Sequence, residues 1–548
     1  MKRRTIFTAA GSAAVAGLAV SGCGNGDSAG DADVLTVGQP DGPLTNNNNP
    51  FLESSAAAGM GYRWLVYEPL AQVNFIEPDS EPTPWLASEW EWSEDFTSLT
   101  LTIRSDVSFS DGTELTADDV AFTFALRKDV DGFNPDAIPY DTIEADGDTV
   151  TITFGESQFI NQGRILHTAI VPEHLWSDLE DPANETVEDP VGTGPYTLQN
   201  WTQQSITLVR NEDYWGGTPE VPEVRYVSYN DNSAQVTALA NGDCQWSYVF
   251  TPDMEETFIR HDPDHHRMWF PSGLGIHALW INHLRAPFDN VALRQAMNLV
   301  IDREEVHIIG QAGLYPLVDS PTGIPTPAGD AFIAEQYAGE VQTVDVSAAE
   351  QILADAGFTL SDGVLSDPSG DPVTMELIAP AGWSDYLANL EIISDNLAAI
   401  GIDCTVESPT VDAWNAAVYE GEFDATMHWT NTGTTPWEIY ANIMDGTQLR
   451  ELGEAAAWNF GRYENDEATD LLSDYASLVD EDERAAVLER LQEIMVEEVP
   501  AIPLVAGPIG AQYSTKHWVG WPSEDDPYAM PQPTQPSASQ ILMNLSRA

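Results

Sequence analysis

At 548 residues and 43% hydrophobic content, the chain is too long for one ordinary domain and apolar enough to build more than one core. It sets 21 basic residues against 88 acidic ones for a formal net charge of −67, and only Lys2, Lys128 and Lys516 are lysines. Such a field repels nucleic acid and anionic membrane surfaces and so argues against both as partners; it reads otherwise as a solubility device suited to a saline medium.

In chain order, MKRRTIFTAAGSAAVAGLAVSGC comes first. Lys2, Arg3 and Arg4 precede an apolar run from Ile6 to Val20 and a small-residue ending at Cys23. That is the layout of an export signal, and the run is short for a membrane span. Arg3-Arg4 also permits the twin-arginine route. Val20-Ser21-Gly22-Cys23 resembles a bacterial lipobox, which implies a signal peptide over 1–22, cleavage before Cys23 and a lipid on its sulfur that anchors the chain outside the cell membrane. The segment 23–34 is then the lipidated cysteine and a flexible polar tether. Cys244 and Cys404 remain; a disulfide and two buried thiols are both open.

Alternating runs LTLTIR (99–104), TVTITF (149–154) and VRYVSY (224–229) predict strands. Apolar spacing near 3.6 predicts helices over 116–128, 290–302, 348–357, 386–401 and 481–498. Thr116 is placed to cap the first of these, and Gly357 and Gly401 sit where terminating glycines belong. From residue 373 onward VTMELIAP, the 386–401 helix, IDCTVES and DAWNAAVYEGEFDATMHW alternate strand and helix in a βαβ-like layer. The fold class is α/β.

Several segments resemble the extracellular solute-binding proteins of the dipeptide/oligopeptide/nickel class that serve ABC importers. They are LVYEPLAQVN (65–74), the stretch from PWLASEW through FSDGTELTADDVAFTF (84–124), PVGTGPYTLQNW with LVRNEDYW (190–215), ANGDCQW (240–246), INHLRAPFDNVALRQAMNLVIDREEV (281–306), AAEQILADAGF (348–358) and VPAIPLV (499–505). The resemblance implies a two-lobe periplasmic-binding-protein-like fold with hinge strands. Lobe I would take 35–275, with an extra subdomain at about 65–190, lobe II 276–499, and 500–548 would return to lobe I. Ligand would lie between the lobes, which close around it. The partners implied are a small-molecule ligand and an ABC permease in the membrane, with the receptor acting as a monomer and without a cofactor.

Enzyme signatures are missing: there is no HExxH, no Gly-x-Ser-x-Gly, no Cys/His signature and no Walker loop. GTGPY lacks the Lys-Ser/Thr and following helix of a phosphate loop and reads as a turn. His261, His265 and His266 of RHDPDHHR could ligate metal on paper, but a hydrophilic loop of this kind is more often a solvated turn. No catalytic or metal-ligating residue is assigned, so a binding protein is expected. A secreted hydrolase or a metal-scavenging lipoprotein is the distant alternative.

The stretch HWTNTGTTPWEIY (428–440) bears on the ligand. Peptide-binding members of the resembled family carry a motif like W-x-x-D-x-x-D-P, whose aspartate pairs with the ligand's α-ammonium. Here both aspartates are missing, and no charge precedes Glu438. Indole faces with hydroxyls and amides suit a neutral polyol, whose ring faces stack and whose hydroxyls need directional partners. TPWEIYANIM (435–444) and GWPSEDDPYAMPQP (520–533) further resemble the cello-oligosaccharide-type branch. The expected ligand is therefore a β-linked gluco- or manno-oligosaccharide, with an oligopeptide as the alternative. Candidate contacts are Trp429, Thr430, Asn431, Thr434, Trp437 and Tyr440, joined by Trp383, Trp280, Asn282 and Trp64, and by Asn48 and Asn49 of TNNNNPF (45–51).

Overall fold

The computed structural model describes residues 33–548 except 40–43, 53, 79, 131, 251–252 and 508. The expected signal peptide, Cys23 and most of the tether lie outside the described residues.

Two mixed sheets organise a two-lobed α/β molecule. In the first, Val34–Gln39 runs parallel to Glu223–Ser228 on one side and to Trp246–Ser247 on the other. Ala511–Ser514, from near the chain end, pairs antiparallel with Trp246–Ser247 and His266–Trp269, so distant parts of the chain share this seven-stranded sheet. The second sheet has five strands in the spatial order Asp403–Glu407, Thr374–Ile378, Ala425–Trp429, Ile276–Ile281, Ala501–Ala506. Thr374–Ile378 is parallel to both of its neighbours, and helices Ser384–Ala398 and Val411–Glu420 make the crossovers, as the alternating pattern predicts. Every residue of Ile276–Ile281 and Ala501–Ala506 is buried, the pattern of strands covered on both faces. Ala501–Ala506 thus belongs to the second sheet by its pairing with Ile276–Ile281, past the expected boundary at 499.

A further sheet has four strands, all antiparallel. Its central strands bury Leu99, Leu101 and Ile103, and Val150, Ile152 and Phe154, at alternate positions, with the other face half-buried. Helix Ala117–Asp129 covers the apolar face and opens with a capping box in which the Thr116 backbone N–H and hydroxyl both donate to Asp119 Oδ2, at 2.9 and 2.8 Å. Each sheet carries its own apolar core.

The turn GTGPY is structural: a Cβ on Gly192 would lie 2.0 Å from Val66 O, and one on Gly194 2.3 Å from Leu65 O. Only glycine lets this turn lie against that backbone. Cys244 is buried and Cys404 half-buried, and both are free thiols, which closes the question of their pairing; burial pushes each up to about 12. In RHDPDHHR, His266 Nδ1 lies 2.8 Å from Phe258 O, its ring stacks on Phe258, and His265 pairs with Asp262. Among the described residues no cluster of histidine, cysteine and carboxylate side chains is arranged to hold a metal.

Candidate ligand-binding site

Strand Ala425–Trp429 ends at the edge of a cavity of about 800 Å³, beyond the carboxyl ends of the parallel strands where α/β sheets receive ligands. The chain that leaves it is pinned at once. Thr430 N–H donates to Ile276 O at 2.8 Å, Thr430 Oγ1 accepts from Ile276 N–H at 3.0 Å, and Asn431 N–H donates to Asn442 Oδ1 at 2.6 Å. Leu274 and Gly433 form a further bridge, and Pro436 precedes helix Trp437–Met444. The loop 430–435 is therefore a rigid wall. Trp429, Thr430, Asn431 and Thr434 line the cavity.

Behind Trp429 stands an aromatic stack. Its indole lies 4.1 Å from the His428 ring, 6.2 Å from Trp383 and 6.4 Å from Trp414. Burial lowers the His428 pKa to about 4, so at neutral pH this support is uncharged. Trp64 lines the opposite wall with the Arg63 guanidinium 4.8 Å from its ring centroid, and its own buried Nε1–H has no partner among the described residues.

The remaining candidates are engaged elsewhere. Trp280 is 1% exposed and donates to His428 O; Asn282 is fully buried and donates to Gly421 O and Phe423 O. Tyr440 is fully buried and donates to Thr322 O, while Trp437 packs on the second core and donates to Leu472 O at 2.9 Å. Asn48 donates to Val187 O and accepts from Tyr62 OH; Asn49 donates to Pro182 O and Glu185 O. Trp383 backs Trp429 and packs on the second core. These side chains hold walls in place, because buried amide and indole groups bond preferentially to backbone that would otherwise go unpaired.

Sequence reasoning missed the charges. Arg63, Arg127 and Arg164 line the cavity together with Asp136 and Glu438. Arg164 reaches Asp136 at 2.8 Å and Glu438 at 2.7 Å, while Arg127 lies 3.9 Å from the other Asp136 oxygen. Burial raises the Glu438 pKa and the Arg164 guanidinium pulls it back down, leaving it above its ordinary value. For Arg164, burial opposes the charge, but Glu438 and Asp136 together hold its pKa above the usual value. His167, also in the wall, is neutral, since burial lowers it to about 3, and it accepts from Val73 N–H. The site of an intensely acidic chain thus gathers three arginines against two carboxylates. One signal was available: with basic residues so scarce, Arg127 and Arg164 within apolar helical segments are worth suspecting.

Residues 81–449 match the family described as bacterial extracellular solute-binding proteins, family 5, middle. The chain belongs to this family. Among curated relatives, heme-binding protein A of Haemophilus influenzae is 24% identical over 532 residues, covering 90% of this chain and 92% of that protein. Oligopeptide-binding protein AppA of Bacillus subtilis is 27% identical over 425 residues, 73% of each. Among solved structures, an oligopeptide ABC transporter's periplasmic oligopeptide-binding protein from Thermotoga maritima superposes with a TM-score of 0.85 at 25% identity, over 94% of this chain and 99% of that one. Its mannohexaose-bound structure superposes with a TM-score of 0.80 over the same shares. This family 5 member is accordingly an extracytoplasmic binding protein that delivers a small-molecule ligand to an ABC permease. None of its described helices is long and apolar enough to cross a membrane.

Proposed function

We propose that the cavity ending strand Ala425–Trp429 is the capture site of this importer and that its ligand is a short oligomer, a peptide or an oligosaccharide. The cavity's place between walls from both lobes carries this reading, since a ligand there touches both lobes and shifts them toward closure.

The peptide reading has the broader support among relatives, through the oligopeptide-binding proteins of Bacillus subtilis and Thermotoga maritima. Asp136 and Glu438 also stand in the cavity, but Arg164 is paired with both, so they add nothing to the peptide reading as partners for an ammonium group. The oligosaccharide reading rests on the Trp429 face with Asn431 and Thr434 beside it, and on the mannohexaose bound by the Thermotoga maritima protein. A β-linked gluco- or manno-oligosaccharide is the form this second reading takes. Lipid anchoring through Cys23 and action as a monomer belong to the same proposal.

A thermal-shift panel of di- to nonapeptides against mannohexaose, cellobiose and laminaribiose separates the two classes. A ligand at a hundred times its Kd stabilises the folded receptor by about 2.7 kcal/mol. One class raises the melting temperature and Trp429→Ala reduces the rise. An unchanged rise in that variant removes the cavity from the site.

A further inference from the structure

Glu438 stands on the first turn of helix Trp437–Met444 in the second lobe, with its side chain 5% exposed. Gly433 makes room for it: a Cβ there would come 2.7 Å from Glu438 Cγ. Its ion-pair partner, Arg164 of helix Gln162–Leu166, arrives from the far side of the cavity and also holds Asp136. Glu438 is the first acid after the uncharged loop and is already bound by a guanidinium.

We propose that Arg164 is a specificity-determining residue: a resident cation that occupies the Glu438 carboxylate, so that the cavity admits ligand ends that are neutral and rejects a free ammonium. This rests on the reading of the cavity as the capture site. The physics is that of like charges brought close together beside a buried carboxylate. A ligand ammonium near Glu438 would displace Arg164 or lie beside it, and either leaves a cation without full compensation. A hydroxyl or an acetylated amine meets no such conflict, and a guanidinium offers its oxygen directional donors.

The test uses two probe pairs that differ in one charge or one kind of charge: tri-alanine with and without an N-acetyl group, and N-acetylchitotriose against its deacetylated, ammonium-bearing trimer. Affinities are measured by calorimetry on the mature receptor. In at least one pair the acetylated member binds the wild type at least tenfold tighter. Arg164→Met, which leaves Glu438 without its guanidinium and Asp136 with Arg127 alone, brings that ratio down at least tenfold. Glu438→Gln, which leaves the guanidinium unneutralised on that side, widens the ratio about threefold or more. A structural role for the pair would move both variants in the same direction, so opposite shifts are the signature, and Glu438→Gln keeps the test alive if Arg164→Met does not fold. Equal or tighter wild-type binding of the ammonium members overturns the proposal, as do unshifted ratios or no binding of any probe to a folded Arg164→Met protein. If Trp429→Ala leaves the affinity of a bound probe unchanged, the cavity assignment itself has failed, a separate outcome.

Discussion

Glu68 and Glu438 are both buried, at 0% and 4% exposure, and they are held in opposite ways. Glu68 accepts from three neutral donors, Tyr214 OH at 2.5 Å and the indoles of Trp85 and Trp215 at 2.7 and 2.9 Å. Glu438 meets one guanidinium, that of Arg164, across a cavity. The first arrangement stays within one lobe and ties together segments from residues 68, 85 and 214–215. The second joins two lobes, and separating them breaks it. The contrast separates a carboxylate that serves the fold from one that serves the site: neutral donors fixed in a core cannot leave, whereas an ion pair across a cleft can be made and broken.

The contrast is tested most severely at Glu68. Glu68→Leu leaves three buried donors unpaired, each costing about 1–3 kcal/mol, so a loss of about 4 kcal/mol or more is expected in urea unfolding. Glu68→Gln keeps an acceptor and loses less. A Glu68→Leu protein as stable as the parent would end the claim that this carboxylate serves the fold. Next in size is its pH dependence. Burial pushes Glu68 up to about 7 against an ordinary 4.5, with hydrogen bonds from Trp215, Tyr214, Trp85 and Thr193 pulling it back. Because the folded state holds the proton more tightly, this contribution is fully present below the ordinary value and is lost as pH rises to about 7. It amounts to about 3 kcal/mol, and it disappears in Glu68→Gln. Stability curves of the two proteins should therefore diverge most between pH 4.5 and 7.

The two tryptophans that flank the 430–435 loop extend the comparison. Trp437→Ala removes a ring seated on the core and should cost about 3 kcal/mol of stability with little change in ligand affinity. Trp429→Ala should do the reverse, weakening binding by about 1–3 kcal/mol. From the sequence the two are equivalent, since both flank the same uncharged loop. The period-2 and 3.6 patterns were legible because burial on one face imposes them, and so the strands at 98–103 and 149–154 and the helix at 481–498 appear where expected. Which tryptophan faces a cavity depends on strand ends and helix entry, which no local period records. The Arg164–Glu438 contact is hidden for the same reason: its partners are far apart in the chain and meet only when two lobes face each other.

The smallest effect is expected where the comparison is sharpest, at the stability of Glu438→Gln. Removing this carboxylate loses one charge-assisted contact but also removes the cost of burying an anion, a cost visible in the raised pKa. The two terms oppose each other, and buried ion pairs often come close to break-even against neutral replacements. Arg164 keeps Asp136 at 2.8 Å, so it is not left without a counterion. A change within about 1 kcal/mol is expected in urea unfolding at pH 7. The direction with pH is also set: with the folded pKa raised, the acid's contribution is lost as pH rises, so the variant gains on the parent toward alkaline conditions. A loss of about 3 kcal/mol or more would place Glu438 beside Glu68 as a carboxylate the fold requires, and the distinction between the two would disappear.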